Sequence, residues 1–374
     1  MLVKSAVLNE MGAARPYAIS RPLTIDELEL DPPGYGEVLV KVAAAGLCHS
    51  DLSVINGDRP RPTPMALGHE AAGVVHGLGP GVSGLVEGDH VVMVFVPSCG
   101  ECLPCAEGRP ALCEPGAAAN GAGTLLSGER RIRRAGVPIN HHLGVSAFSE
   151  YVTVSRRSLV RIDKSLPLDE AALFGCAVLT GVGAVVNTAK VPAGATVAVV
   201  GLGGVGLAAL LGAIAAGASR VVAVDLAEDK LAFARELGAT DTFNATSASC
   251  VADIRGATNG GVDFALEMAG SVRALDLAYA VTRRGGTTVT AGLPPPSAAF
   301  SFPQVNLVAE ERTIKGSYVG ACVPIRDVPR YIALYQRGRL PVDRLLSARI
   351  KLEQINEGFD NLHEGKAIRQ VVVF

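Results

Sequence analysis

The period of the hydrophobic positions changes along this chain, and the change divides it. In the first third, short apolar runs lie between Gly, Pro and Asp: EVLVKVAAAG over Glu37–Gly46, AAGVVHGLG over Ala71–Gly79 and DHVVMVFV over Asp89–Val96. β-Branched residues bounded by turn formers predict strands, hence a β-rich domain with loops. From Thr196 the texture differs. TVAVVG leads into an apolar helical stretch, RVVAVD into the helix-like LAEDKLAFARELGA, and VDFALE and TTVTAG follow. Strand-length runs alternating with helical ones predict a parallel sheet with crossover helices. After about Gly320, an amphipathic stretch, DVPRYIALYQRG, and a final strand, RQVVVF, are expected to return to the first domain. The chain therefore reads as α/β. A doubly wound parallel sheet, residues 178–320, is inserted into a β-rich domain of residues 1–177 and 321–374.

Length and charge agree with this division. At 374 residues the chain suits two domains with sizeable cores. A formal net charge of −2 creates no field that gathers nucleic acid or anionic membrane, and no basic–aromatic interleaving is present. The one basic run, ERRIRR over Glu129–Arg134, reads as a solvated loop or hairpin. MLVKSAVLNE lacks the apolar core of a secretion signal, and Val205–Ala218 is short and broken by Gly212 and Gly217. The expected setting is the cytoplasm, with no membrane and no nucleic acid as partner.

That setting changes how the cysteines are read, because cytosolic thiols stay reduced. Four of the eight fall within CGECLPCAEGRPALC, as Cys99, Cys102, Cys105 and Cys113. The C-x2-C-x2-C-x7-C spacing, with turns at Gly100, Pro104, Gly108 and Pro110, lets one loop fold four thiolates into a tetrahedron. That is the closed coordination of a structural Zn²⁺; an iron–sulfur site is the other candidate.

VAVVGLGGVG supplies the next chemistry. Gly201, Gly203 and Gly206 follow a strand and open a helix with Gly204 and Val205, so the helix N-terminus faces a dinucleotide pyrophosphate. Asp225 ends the next strand about 20 residues on, where a carboxylate accepts the adenosine ribose hydroxyls and repels a 2′-phosphate. This favours NAD over NADP; a helix-capping role is the alternative for Asp225. Of the remaining cysteines, Cys48, in GLCHSDLSVINGD, and Cys176, in LFGCAVLTG, combine with His69 of MALGHEAAG into a set of two thiolates and one imidazole. Such a set leaves the fourth zinc position open, although a lone cysteine is most often a small core residue.

With GHEAAG, the four-cysteine lobe, GLGGVG and INEGF in this order, the sequence resembles the zinc-dependent medium-chain alcohol dehydrogenases along its whole length. The long stretch between Cys113 and HHLGVSAFSEY is similar to the dimeric class of the liver enzymes and their glutathione-dependent formaldehyde dehydrogenase relatives. The resemblance implies a GroES-like catalytic domain around a Rossmann-type domain, a homodimer, NAD, and one catalytic and one structural Zn²⁺ per chain. It implies Cys48, His69 and Cys176 as catalytic zinc ligands, Glu70 behind the metal as a transient ligand, and Asp51 holding the free nitrogen of His69. Ser50 matches the proton-relay hydroxyl, and Ser53 stands where the liver enzymes carry a relay histidine. His49 and Arg369 match pyrophosphate-contacting positions, and Thr180, Val205 and Leu293 match positions near the nicotinamide. Phe95, Leu143, Leu293 and Tyr318 match the substrate pocket. Arg59 and His142 replace apolar and aromatic pocket residues and are expected at its mouth, facing a polar substrate tail, or turned to solvent. The implied reaction interconverts primary or small secondary alcohols with aldehydes or ketones. The alternative is oxidation of an S-hydroxymethyl thiol, which Arg59 weakens because that branch carries an acidic residue there.

Overall fold

The computed structural model describes all residues, Met1–Phe374, as two compact units. The first comprises Met1–Cys176, Val323–Ile332 and Leu346–Phe374; the second comprises Ala177–Cys322 and Ala333–Leu345. Residues 333–345, read from the sequence as part of the β-rich domain, thus cluster with the second unit. There Leu340, Val342 and Leu345 are fully buried and Arg344 donates to the Glu236 carbonyl.

The first unit holds a closed barrel of the strands Leu2–Leu8, Leu23–Leu30, Ile132–Arg134, Val137–His141 and Met65–Ala66. It also holds a seven-stranded sheet centred on Glu37–Gly46. That strand alternates as its sequence demands: Val38, Val40 and Val42 are buried while Lys41 is exposed. It pairs antiparallel with Glu70–Leu78 in a register that sets Gly46 opposite Glu70. On its other side the final strand, Arg369–Val373, pairs with it at Val371 opposite Gly46. Both neighbours therefore converge at the end of the strand that leads into Cys48.

ERRIRR forms the predicted hairpin, but its arginines are committed rather than simply solvated. Arg131 Nε lies 2.7 Å from the buried Glu37 carboxylate, Arg133 3.0 Å from Asp31, and Arg134 2.8 Å from Asp26.

The short helix Tyr17–Ser20 is held from outside its own turn. The Asp360 carboxylate, on the helix Ile355–His363, accepts the Tyr17 and Ala18 backbone N–H groups at 2.9 and 2.8 Å and faces Arg15. Burial works against its charge, but the Ala18 and Tyr17 amides and Arg15 outweigh burial and hold its pKa below the usual range. A depressed folded pKa stabilises the protein above the unfolded value of about 3.9 and is lost as pH falls through the folded value. Asp360→Asn is expected to cost about 1–3 kcal/mol at pH 7. It should also flatten the acid side of the stability–pH curve below about pH 4. Urea titrations from pH 2 to 7 check this, and an unchanged acid limb contradicts it.

The second unit carries a six-stranded, wholly parallel sheet. In chain order its strands are Thr196–Val200, Arg220–Asp225, Asp241–Asn244, Val262–Glu267, Thr282–Thr290 and Thr313–Gly316. Their spatial order is third, second, first, fourth, fifth, sixth, the doubly wound dinucleotide-binding arrangement. The Val-rich runs fit because a parallel sheet is covered on both faces; Val197, Val199, Val222 and Val224 are fully buried. The helix Gly204–Ala215 is apolar on nearly all sides and almost wholly buried, as its sequence requires. No single helix is long and apolar enough to cross a membrane.

Candidate active site

The site is built where the seven-stranded sheet meets a short helix. The chain leaves Glu37–Gly46, passes Cys48 in extended conformation and turns into the helix His49–Ile55. Asp51, in the first turn, folds back so that its Oδ2 accepts the Cys48 N–H at 3.2 Å. Its Oδ1 accepts the Gly68 N–H at 3.3 Å and lies 3.0 Å from His69 Nδ1. Gly68 has φ +95°, and an added Cβ would stand 2.5 Å from the Phe148 nitrogen, so only glycine delivers His69 here. Cys176 ends the first segment of the first unit, and Cys48, His69 and Cys176 bring their Sγ and ring nitrogen atoms within 4.8 Å of one another, all buried.

The chemistry of this set fits a metal. With Nδ1 committed to Asp51, the buried His69 Nε2 has no hydrogen-bond partner, and a donor orphaned beside two thiols is the form of a zinc ligand. The charges lean the same way. The Cys176 side chain holds Cys48 well below its ordinary pKa against the opposing effect of burial. Burial opposes protonation of His69, but with no cation present Asp51 and Cys48 carry its pKa up to about 10, so zinc would enter by displacing the Nε2 proton between the two anions. Asp51 remains ionised below the usual range despite complete burial, because His69 and His142 face it.

Around this set the structure sorts the expected residues. Phe95 packs edge-on to the His69 ring at 5.2 Å, and Phe95 and Leu143 are buried. Ser50 and Arg59 are half-buried, and His49 is exposed. Ser53 donates its hydroxyl to the His49 carbonyl at 2.8 Å, back into its own helix. Glu70 is fully buried with its carboxylate against the Arg369 guanidinium. Arg369 is itself only 3% exposed, a buried partner of that carboxylate.

His142 departs from the expectation for it. It stands neither at a mouth nor in solvent: it is 1% exposed, crosses the His69 ring edge-on at 5.5 Å, and has Nδ1 3.2 Å from Asp51 Oδ1. The strand Val137–His141 ends immediately before it, and the left-handed φ of Leu143 turns the chain inward at this point. Sequence reasoning missed this contact; no local spacing links residue 142 to residue 51.

The four-cysteine lobe closes as its spacing demands. Cys99, Cys102, Cys105 and Cys113 place their sulfurs within 4.8 Å of one another. Cys99 Sγ accepts the Glu101 and Cys102 N–H groups at 3.4 and 3.3 Å, which bring its pKa down to about 6. Cys113 Sγ accepts those of Cys99 and Gly116 at 3.2 and 3.3 Å. Amides aimed at sulfur stabilise thiolate, the form a metal binds. Burial nevertheless takes Cys113 above its ordinary value and, with its cysteine neighbours, carries Cys105 to about 12; a cation among the sulfurs would reverse both shifts. Cys250 and Cys322 are buried outside both groups, Cys250 within the apolar core of the parallel sheet.

In the second unit, Gly206 is forced by close packing: a Cβ there would meet the Gly201 carbonyl. A Cβ at Gly203 would meet nothing within 4 Å, so the space before the helix Gly204–Ala215 is open for a phosphate to approach the backbone. Val205 lies in that first turn and is half-buried like Gly201. Asp225 ends its strand and accepts the Leu202, Leu226 and Ala227 N–H groups at 2.6, 2.8 and 3.1 Å. It therefore organises the glycine loop, besides standing where a ribose is expected. Thr180 is buried, while Leu293 and Tyr318 are 51% and 39% exposed.

Comparison with known proteins places these features in one lineage. The alcohol dehydrogenase GroES-like domain matches residues 34–164, and the zinc-binding dehydrogenase family matches residues 204–337. A Mycobacterium tuberculosis protein described as "Putative alcohol dehydrogenase D" is 41% identical over 377 residues, covering 100% of both chains. The benzyl alcohol dehydrogenase of Acinetobacter calcoaceticus superposes with a TM-score of 0.93 at 32% identity, covering 100% of this chain and 99% of its own. A structure titled "putative zinc-binding dehydrogenase", from Sinorhizobium meliloti 1021 and bound to NADP, has a TM-score of 0.82 at 26% identity, covering 100% of both chains.

Proposed function

Since the chain belongs to the zinc-binding medium-chain dehydrogenase/reductase family and is a zinc-dependent oxidoreductase of the alcohol dehydrogenase type, we propose that it interconverts primary or small secondary alcohols with their aldehydes or ketones, using NAD. The observation that carries this reading is the buried trio of Cys48, His69 and Cys176, with the unpartnered Nε2 of His69 among the thiols. Bound there, zinc supplies Lewis acidity toward the alcohol oxygen, and NAD supplies the hydride acceptor.

The protein's own groups do the rest. Asp51 fixes the His69 ring and its tautomer, with the proton on Nδ1. Phe95, packed edge-on to His69, supplies apolar surface that excludes water and suits an aliphatic chain or a ring, and the buried Leu143 is assigned beside it by the family resemblance. The half-buried Ser50 hydroxyl accepts the alcohol proton as it gives its own to solvent water. Ser53 has no titration near neutrality, and its hydroxyl is already given to the His49 carbonyl, so it adds no proton store of its own. The Glu70 carboxylate is engaged with Arg369, which opposes its moving toward a metal.

On the nucleotide side, the Asp225 carboxylate supports NAD because it would repel a 2′-phosphate. The NADP-bound relative makes this the point to test. Initial rates with benzyl alcohol, hexanol, lactate and an S-hydroxymethyl thiol, each with NAD and with NADP, are the direct measurement. We expect turnover of benzyl alcohol and hexanol with NAD. Asp225→Ser should raise KM for NAD by about tenfold, the scale of one charge-assisted hydrogen bond, and narrow the preference over NADP. Wild-type preference for NADP overturns the cofactor assignment; turnover confined to the thiol adduct overturns the substrate class.

A further inference from the structure

Two buried imidazoles converge on one carboxylate oxygen beside the thiolate pair. Asp51 Oδ1 lies 3.0 Å from His69 Nδ1 and 3.2 Å from His142 Nδ1. The rings cross at 88°, and neither histidine is more than 1% exposed. The His142 contact falls short of a full hydrogen bond, and its Nδ1 has no other partner. A buried imidazole N–H without a partner is costly, and Asp51 is the acceptor within reach.

His142 is also delivered firmly. Its backbone N–H donates to Ser146 Oγ at 2.9 Å, and its carbonyl accepts the Val145 and Ser146 N–H groups at 3.0 and 3.2 Å. Leu143 and Ser146 both take left-handed φ values, 53° and 55°, which close this turn directly after the strand Val137–His141. The Asp51 carboxylate, for its part, is pinned by the Cys48 and Gly68 amides. Two anchored supports thus meet at one oxygen.

We propose that His142 is a positioning residue: its Nδ1–H holds the Asp51 carboxylate, which in turn holds His69 with Nε2 directed at Cys48 and Cys176. The inference rests on the reading of that trio as a zinc site. A ligand histidine is oriented by the acceptor behind it, and losing such an outer partner typically costs about 10–100-fold in metal affinity or activity. Here the acceptor has a support of its own.

The test compares His142→Leu with His142→Asn in the full-length zinc-loaded enzyme. The two side chains have nearly the same shape, but only asparagine keeps a donor near the Nδ1 position. Zinc transfer to a chromophoric chelator is followed in time, beside zinc content and thermal melting. His142→Leu should release the catalytic zinc about 10–100-fold faster than wild type, with the four-cysteine zinc unaffected, and His142→Asn should stay within about threefold of wild type. Cobalt substituted at the site should show an altered visible band in the leucine variant alone. If His142→Leu does not fold, His142→Gln, whose amide reaches past the Nδ1 position, supplies the contrast with asparagine. Equal release from the donor and non-donor variants overturns the proposal, since that is an effect of volume alone. Three zinc ions in the wild type also overturn it, because Asp51, His69 and His142 would then be ligands themselves. A wild type holding only the four-cysteine zinc removes the functional reading first, and this inference with it.

Discussion

Cys176→Ser should lower alcohol turnover by about 1,000-fold or more while the protein stays folded. The trio offers two sulfurs and one imidazole within 4.8 Å. Replacing one thiolate by a hydroxyl leaves two soft donors, too few to hold zinc against water. The lost Lewis acidity is worth several kcal/mol of transition-state stabilisation, and about 4 kcal/mol corresponds to roughly 1,000-fold. The structural cost is far smaller. Cys176 is 5% exposed, and serine nearly matches its volume, so the loss comes from burying a hydroxyl and is on the order of 1–2 kcal/mol. Zinc content should fall from about two ions per chain to one, the number left when only the closed site is filled. A Cys176→Ser enzyme that keeps both zinc ions and normal turnover would show that the metal and the chemistry lie elsewhere.

Cys102→Ser should show the reverse pattern, a large loss of stability with the chemistry intact in whatever protein remains folded. Cys102 is half-buried, so the substitution changes packing little and tests the thiolate itself. The loop from Cys99 to Cys113 has little apolar core of its own: Leu103 and Leu112 are 70% and 40% exposed. Its shape depends on four sulfurs closing around one ion. Zinc in isolated four-ligand peptides contributes roughly 10–16 kcal/mol to folding, an upper bound for a lobe embedded in a larger domain. A loss of several kcal/mol lowers Tm by on the order of 10 °C. Limited proteolysis should cut first within residues 99–113, because local opening follows the weakest unit. A wild type treated with a chelator strong enough to strip this site should behave likewise. An unchanged melting curve for both samples would make the lobe self-supporting and the metal incidental.

What could be read from the chain alone was local. The strands Glu37–Gly46 and Arg220–Asp225 follow from a pattern of period two and from a continuous apolar run, which any short segment displays without its neighbours. The glycine loop from Gly201 to Gly206 and the four cysteines within fifteen residues are equally local, since spacing along a short loop nearly fixes spacing in space. The trio of residues 48, 69 and 176 was of another kind. Nothing in the chain's periodicity joins three residues so far apart; their donor types suggested the set, and resemblance to a family with the same motif order gave it a role. The tertiary structure then decided what lies around them. The register of Gly46 against both Glu70 and Val371 carries Arg369, a residue of the last strand, into the interior beside Glu70. The turn after Val137–His141 swings His142 onto Asp51, and Arg131, Arg133 and Arg134 find carboxylates some hundred positions away in sequence. Such contacts depend on strand pairing and turn handedness, which long-range packing selects after the local elements exist. A buried polar group must find its partner wherever the fold brings one. The sequence by itself therefore determined the elements and the chemistry available to them, and only the folded chain decided which charges face each other.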